Sequence, residues 1–188
     1  MSRPGGLRAR LAAVRREYEG GQGEERPLGG FLALMGVYTG AVGGAALLAR
    51  ATGRHLPERV GAGDVLLLAL ATHKASRLLS KDAVTSPLRA PFTRFAGSAG
   101  EGEVMEEVRG HGLAHSTGEL LTCPFCTSVW VATGFTAGGV LAPRLTRSAL
   151  VTLTAVLGSD VLHLLYDSAK HLPALAERAA AGPQEGDS

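Results

Sequence analysis

Two cysteines in the middle of the chain have the residue type and spacing that thiol or metal chemistry needs. Cys123 and Cys126 form a CxxC motif, which thiol redox proteins and zinc sites both use. Pro124 suits the first position of a helix, so Cys123 would cap that helix and its thiol pKa would be lowered. His111 and His115 could complete a four-ligand zinc set, although their spacing matches no standard zinc finger. Packing of small side chains is the third interpretation, and it needs no cofactor.

A second group of ionisable side chains lies near the ends of two apolar runs. His73 and Arg77 are four residues apart, and Asp160 and His163 are three apart, so each pair shares one face of a helix. Ionisable groups in a membrane-spanning segment usually face the interior of the bundle and are paired. We therefore expect an Arg77–Asp160 ion pair with His163 beside it, either as a structural lock or as part of a proton or ion site. His73 is also a candidate catalytic residue.

The stretch from Ser86 to Phe92 combines two prolines with a cation and an aromatic residue. Proline fixes the backbone, so this stretch loses little entropy when it becomes ordered. Cations near a bilayer are attracted to lipid phosphates. The composition therefore predicts a site for an anionic headgroup or a phosphorylated ligand, and the alternative is that Arg89 pairs inside the protein with Asp82 or Glu119. The candidate residues of the anion site are Lys81, Ser86, Arg89 and Arg94.

Four apolar runs must position these groups, and each is about long enough to cross a bilayer core, which needs roughly 20 residues. We predict an all-α membrane bundle of about four transmembrane helices, with a cytoplasmic segment over residues 80–119 in which Gly97 to Glu107 form a flexible acidic loop. Residues 1–27 form a basic tail, either an amphipathic helix or a frayed polar segment, and residues 168–188 form a polar tail. The predicted spans are residues 28–48, 60–79, 120–141 and 148–166 of a membrane domain over residues 28–167.

The distribution of Lys and Arg predicts the orientation of this bundle. With four spans both termini lie on one side, and that side carries 14 of the 19 Lys and Arg residues. Cytoplasmic loops of membrane proteins are enriched in these residues, so both termini and the central segment are predicted to be cytoplasmic. A net charge of +2 and an aromatic content of 5 % argue against nucleic acid as a partner.

Three motifs resemble those of a bacterial membrane protein family, domain of unknown function 1360, over roughly residues 60–167. They are the runs KDAVTSPLRAPF and GELLTCPFC and the run from Ser159 to Tyr166. The resemblance implies a multi-pass membrane protein and assigns no activity. His111 and His115 lie outside the family pattern, which weakens the zinc hypothesis. The positions that match the pattern are Lys81, Asp82, Thr85, Ser86, Arg89, Pro91, Phe92, Glu119, Cys123, Cys126 and Asp160.

These observations support three hypotheses about function. The first is a non-enzymatic scaffold in the bacterial cytoplasmic membrane that binds lipids or a protein partner. The second is a thiol-redox or metal-dependent membrane enzyme centred on Cys123 and Cys126. The third is a small proton or ion transporter, which would have to oligomerise because four helices leave little room for a path. No cofactor is predicted, and the predicted partners are membrane lipids, a second copy of the chain or another membrane protein.

Overall fold

The computed structural model describes residues 26–180, together with Gly6, Ala9, Arg10, residues 12–14 and Tyr18. The amphipathic helix predicted for the basic tail lies largely outside these residues. Between Leu28 and Ala180 the chain forms six α-helices and one antiparallel hairpin, with a short 3-10 turn over Ala83–Thr85. The elements are α1 (Leu28–Ala51), α2 (Ala62–Ser80), α3 (Ser86–Arg89), β1 (Thr93–Gly100), β2 (Glu103–Val108), α4 (Leu113–Thr122), α5 (Pro124–Leu141) and α6 (Pro143–Ala180).

The four predicted apolar runs are helical, and the bounds of the third and fourth differ most from the prediction. The third run breaks at Cys123, because Pro124 has no backbone N–H to continue the preceding helix. Residues 120–122 belong to α4, whose axis is bent by 84° from that of α5. The fourth run begins earlier than predicted, because Pro143 occupies the first position of α6. The helix then continues to Ala180, so the first part of the predicted polar tail is helical.

Side-chain contacts show that α1 and α5 run in the same direction. The hydroxyl groups of Tyr38 and Thr133 are 2.8 Å apart, near the middle of both helices. Just beyond the end of α1, Arg54 Nη1 donates to the carbonyl of Leu141, the last residue of α5. Both helices therefore begin at one end of the bundle and finish at the other.

The remaining two long helices run in the opposite direction to α5. Ser80 at the end of α2 donates to Thr127 in the first turn of α5, with an Oγ–Oγ1 distance of 3.1 Å. Thr154 of α6 donates to the carbonyl of Leu67 of α2 at 3.5 Å, and farther along both helices Asp160 lies 2.9 Å from Lys74, so α6 runs beside α2 in the same direction. The four long helices thus alternate in direction along the chain. We call the end that carries Ser80 and the hairpin the hairpin end, and the end that carries Arg54 the Arg54 end.

Among the described residues, two helices are long and apolar enough to cross a membrane, namely α1 and the Pro143–His171 part of α6. The bent pair of α4 and α5 adds a third if the two helices count as one broken span. Helix α2 does not qualify, since Asp64 lies near its start and His73, Lys74 and Arg77 lie in its second half. The described part of the chain therefore has two helices, or three with the bent pair, that could cross a membrane by length and composition, whereas four were predicted.

A β-hairpin stands in place of the predicted flexible acidic loop, so the fold is mostly but not wholly helical. Strands β1 and β2 pair antiparallel, with Thr93 opposite Val108. The pairing is irregular at two points in β1, and Gly102 in the turn has a φ of 74°, a conformation that favours glycine. The acidic residues of this stretch are therefore displayed on an ordered ribbon.

Two glycines allow α4 to lie across the hairpin end in close contact with its neighbours. A Cβ atom at Gly118 would lie 2.6 Å from Cγ1 of Val108 and 2.9 Å from the carbonyl oxygen of Phe92. A Cβ atom at Gly30 would lie 2.8 Å from the carbonyl oxygen of Gly112. Since real Cβ contacts are longer than this, α4 packs against the hairpin on one side and against the start of α1 on the other only because both positions lack a side chain.

Candidate functional site

Arg89 lies buried beneath the hairpin and binds it to the end of α2. The Arg89 side chain is 1 % exposed, and its guanidinium donates to the Glu106 carboxylate at 2.6 Å from Nε and at 3.3 Å from Nη2. Further N–H groups donate to the carbonyls of Leu79 at 2.7 Å and Asp82 at 3.0 Å and to the hydroxyl of Thr85 at 2.6 Å. A buried charge is tolerated when it is paired and fully hydrogen-bonded, and this one is. We call the Arg89–Glu106 pair the clasp.

Backbone hydrogen bonds attach the turn of the hairpin to the residues that follow α2. The N–H of Ala83 donates to the carbonyl of Gly102 at 2.8 Å, and the N–H of Val104 donates to the carbonyl of Lys81 at 2.9 Å. The turn therefore has a fixed position, which brings Glu103 alongside the last turns of α2.

A charged cleft of about 900 Å³ lies between α2, the hairpin turn and the second half of α6. Its apolar wall comes from α6 and includes Leu157, Val161 and Leu164. The hairpin turn forms another wall, and the clasp holds the hairpin in place. The shape of the cleft therefore depends on the Arg89–Glu106 pair, although neither residue lines the cleft. The ionisable residues of the charged cleft are His73, Lys74, Arg77, Asp82, Glu101, Glu103, Asp160, His163, Asp167 and His171.

The two permanent cations of the charged cleft are held by carboxylates on neighbouring elements. Lys74 Nζ lies 2.9 Å from Asp160 of α6 and 3.9 Å from Asp82. Arg77 forms a bidentate pair with Glu103 of the hairpin, at 3.0 Å from Nε to Oε1 and 2.7 Å from Nη2 to Oε2. The predicted Arg77–Asp160 pair is therefore wrong. The hairpin turn brings Glu103 to Arg77, and Asp160 of α6 lies one turn earlier along α2, at Lys74.

The four residues that sequence reasoning grouped nevertheless share one cavity. His73, Arg77, Asp160 and His163 all line the charged cleft, although the ion pair that joins α2 to α6 uses Lys74. Five carboxylates face two Lys or Arg side chains in the cleft, so it carries an excess of negative charge when its histidines are neutral. A concave acidic surface of this kind attracts cationic groups.

The two cysteines are free thiols at the start of α5. Cys123 is the helix cap, as predicted, since its sulfur accepts a hydrogen bond from the Cys126 N–H at 3.3 Å. Cys126 is exposed. Throughout the part of the chain that the structure describes, no three His, Cys, Asp or Glu side chains are placed to hold a metal ion, so the predicted zinc set with His111 and His115 is not assembled. His115 instead lies 3.2 Å from Glu119.

The predicted anion site is not formed, because Arg89, its central cation, is buried. Arg89 is inaccessible to a headgroup because all its donors are used within the protein, including one to Ser86 Oγ at 3.3 Å. Arg94 is exposed on β1, opposite Glu107, and Lys81 is half-buried at the end of α2. Of the two alternatives, pairing inside the protein is the one found, but the carboxylate partner is Glu106.

Three residues of the ion pairs described above were missed by sequence reasoning. Glu103 and Glu106 were assigned to a solvated acidic loop, and Lys74 was assigned no partner. The spacing of the two glutamates gave no signal, because residues three apart on a regular strand face opposite sides, and the irregularities of the hairpin lie in β1. The available signal was the arginine itself, since a buried guanidinium needs a carboxylate partner.

Comparison with known proteins places these features inside a recognised family. A family model described as a protein of unknown function (DUF1360) matches residues 67–166, a range that includes the clasp, both cysteines and most of the charged cleft. Sporulation protein YjcA of Bacillus subtilis (strain 168) is 37 % identical over 71 residues, which are 36 % of this chain and 60 % of that protein. The chain thus spans less than two thirds of that relative. No solved structure matches the chain.

Proposed function

This chain belongs to the DUF1360 family of proteins of unknown function, and we propose that it is a four-span protein of the bacterial cytoplasmic membrane that binds a protein partner at its hairpin end. Under this proposal it acts as a scaffold, and the charged cleft is its binding surface. A role in sporulation is proposed from the name of its relative alone, and the binding role does not depend on it.

The alternation of the long helices supports four spans. Helix α2 has 19 residues, which at 1.5 Å per residue give about 28 Å, close to the roughly 30 Å of a bilayer core. It packs between α5 and α6, so its polar residues need not face lipid. Lys74 is bound to Asp160, and Ser80 to Thr127. Pairing of this kind is what ionisable and polar groups in spanning helices require.

The excess of Lys and Arg at the hairpin end supports a cytoplasmic position for it. All but five of the 19 Lys and Arg residues belong to the two tails and to residues 74–109, which this arrangement puts on one side. Positive residues are enriched on the cytoplasmic side of membrane proteins. The proposal therefore retains both termini and the central segment in the cytoplasm.

The observation that carries the binding role is the clasp. A hairpin with no function would not need a buried guanidinium to fix it, and a buried ion pair is a costly way to gain stability. Here the pair gives the charged cleft one rigid wall, and a site on a rigid element loses less entropy when a partner binds. The acidic excess of the cleft favours a basic segment of the partner protein.

A second candidate function is supported by the grouping of His73, Asp160 and His163 in the same cleft. These residue types form proton relays in membrane transporters. In that case the Lys74–Asp160 pair would be part of an ion site and not a lock, and the two roles predict different behaviour for an Asp160 variant.

Site-directed photocrosslinking in cells tests the binding role. A photoreactive residue at Glu101, which is exposed at the rim of the charged cleft, is expected to capture a distinct partner. The matched control is the same residue at Glu58, which is exposed at the Arg54 end. Charge reversal with Asp167→Lys should reduce the Glu101 adduct severalfold, since it removes acidic character from the cleft. Equal amounts of adduct at both positions would contradict a partner that binds through the charge of this cleft. An amount of Glu101 adduct that Asp167→Lys leaves unchanged would contradict it as well.

A further inference from the structure

An apolar groove of about 690 Å³ runs between α1 and α5, away from the charged cleft. Six of its 18 lining residues are alanines, among them Ala46 of α1 and Ala137 of α5. Because these side chains are short, the two helices leave an open channel between them in place of interdigitated packing. Large exposed apolar surfaces usually mark a binding site, so we expect this channel to be filled by another molecule and not by water.

The inner end of the groove is closed by two aromatic residues near the middle of the bundle. Tyr38 and Trp130 meet edge to face, with ring centroids 5.1 Å apart, and the Tyr38 hydroxyl lies 2.8 Å from that of Thr133. Tyr38 is close to the midpoint of the Leu28–Ala51 helix. The groove therefore starts at about half the length of α1.

The outer end of the groove carries two arginines and a histidine. Arg50, Arg54 and His55 line it, and among the described residues no carboxylate forms an ion pair with any of them. Arg54 Nη1 donates to the carbonyl of Val140 at 3.2 Å and to that of Leu141, which ties the loop after α1 to the end of α5. These hydrogen bonds fix the position of the outer end, which we call the mouth of the groove. The mouth is basic, whereas the walls are apolar.

The length of the groove matches one leaflet. From Tyr38 to Arg50 the helix advances 12 residues, or about 18 Å, against roughly 15 Å for half of a bilayer core. An acyl chain that starts at the basic mouth would end at the Tyr38–Trp130 contact. The distribution of charge and apolar surface complements one amphipathic molecule.

We propose that this groove binds an anionic phospholipid, with an acyl chain between α1 and α5 and the phosphate at Arg50, Arg54 and His55. The inference rests on the proposed membrane-spanning arrangement. It replaces the lipid site predicted around Arg89, which is buried, and it lies at the opposite end of the bundle. Arginine suits this role because its planar guanidinium binds phosphate oxygens in pairs.

Native mass spectrometry of the full chain, purified in detergent, tests the site. The probes are phosphatidylglycerol and phosphatidylcholine with identical acyl chains. The wild-type protein should retain more phosphatidylglycerol. Arg50→Gln should lower retained phosphatidylglycerol about fivefold, the factor expected for one cation near a lipid phosphate, and should leave phosphatidylcholine unchanged. Ala46→Leu, which fills the groove, should reduce both lipids.

Matched controls separate this site from general lipid contact. Ala33→Leu changes another exposed alanine of α1, on the face away from the groove, and Arg59→Gln removes an exposed cation at the same end that does not line the groove. Both should behave as wild type. The proposal is overturned if Arg50→Gln and Arg59→Gln have equal effects, if wild type shows no preference, or if Ala46→Leu removes a dimer and not lipid. Unchanged helicity and Tm confirm that each variant is folded.

The lipid site and the proposed function fail separately. The Glu101 crosslink reports on the hairpin end, so loss of lipid preference with that crosslink intact contradicts the lipid site alone. Retained lipid preference without the crosslink contradicts the binding role alone.

Discussion

Replacing Arg89 with alanine is expected to destabilise the protein by about 3–5 kcal/mol, the usual cost of removing one partner of a buried ion pair. Both partners are well shielded, since the Arg89 and Glu106 side chains are 1 % and 6 % exposed. Arg89→Ala would leave the Glu106 carboxylate and the carbonyls of Leu79 and Asp82 without their donor. Thermal unfolding of the purified protein in detergent measures the effect, which should lower Tm by roughly 10 °C or more.

A double variant tests whether the loss comes from the unpaired charge. Arg89→Met combined with Glu106→Leu removes both charges and keeps apolar volume, so it should recover much of the lost stability. The matched control is Arg94→Ala, which removes an exposed arginine from β1 and should change stability by less than about 0.5 kcal/mol. If Arg89→Ala behaves like Arg94→Ala, the hairpin is not held by the clasp.

Asp160→Asn is expected to cost about 1–2 kcal/mol, between the values for exposed and buried pairs. The intermediate value follows from geometry, because Lys74 is 15 % exposed and Asp160 is 45 % exposed. Lys74 also keeps Asp82 at 3.9 Å, which reduces the loss. Adding Lys74→Gln to Asp160→Asn should therefore cost less than the sum of the two single changes when unfolding is measured in detergent.

The matched control for this cycle is the pair that sequence reasoning favoured. Arg77 is bound to Glu103, so Arg77→Gln and Asp160→Asn should be additive. Coupling between Arg77 and Asp160, with none between Lys74 and Asp160, would contradict the ion pairs described here.

The Asp160→Asn variant also separates a structural lock from an ion site. A lock loses stability in Asp160→Asn, whereas an ion site would leave the protein folded and abolish proton flux into liposomes.

The long helices could be predicted because their signal is local. A run of about 20 apolar residues is visible without any knowledge of the fold, and Pro124 and Pro143 mark helix starts by their missing N–H groups. The bounds were less predictable. The break at Cys123 could be predicted only if a separate helix was expected before it. The position of that helix, α4, depends on close packing at Gly30 and Gly118, which composition does not reveal.

The hairpin and the ion pairs could not be predicted because they depend on distant parts of the chain. Glycine and glutamate have low strand propensity, and β1 and β2 are stabilised by the Arg89 side chain beneath them. Sequence spacing placed Arg77 and Asp160 at the same end of the bundle. It did not show that Arg77 would pair with Glu103 and not with Asp160, since that depends on the hydrogen bond between the hairpin turn and Ala83.

Accessibility of single cysteines from outside the cell tests the central claim, that the chain crosses the membrane four times with its hairpin end in the cytoplasm. The background is Cys123→Ser with Cys126→Ser, in which serine can replace Cys123 as the helix cap. Glu58→Cys and Glu101→Cys introduce thiols at exposed positions on opposite ends of the bundle. A membrane-impermeant maleimide should label Glu58→Cys in intact cells, and it should label Glu101→Cys only after permeabilisation. Labelling of Glu101→Cys in intact cells, or protection of Glu58→Cys until permeabilisation, would contradict the account.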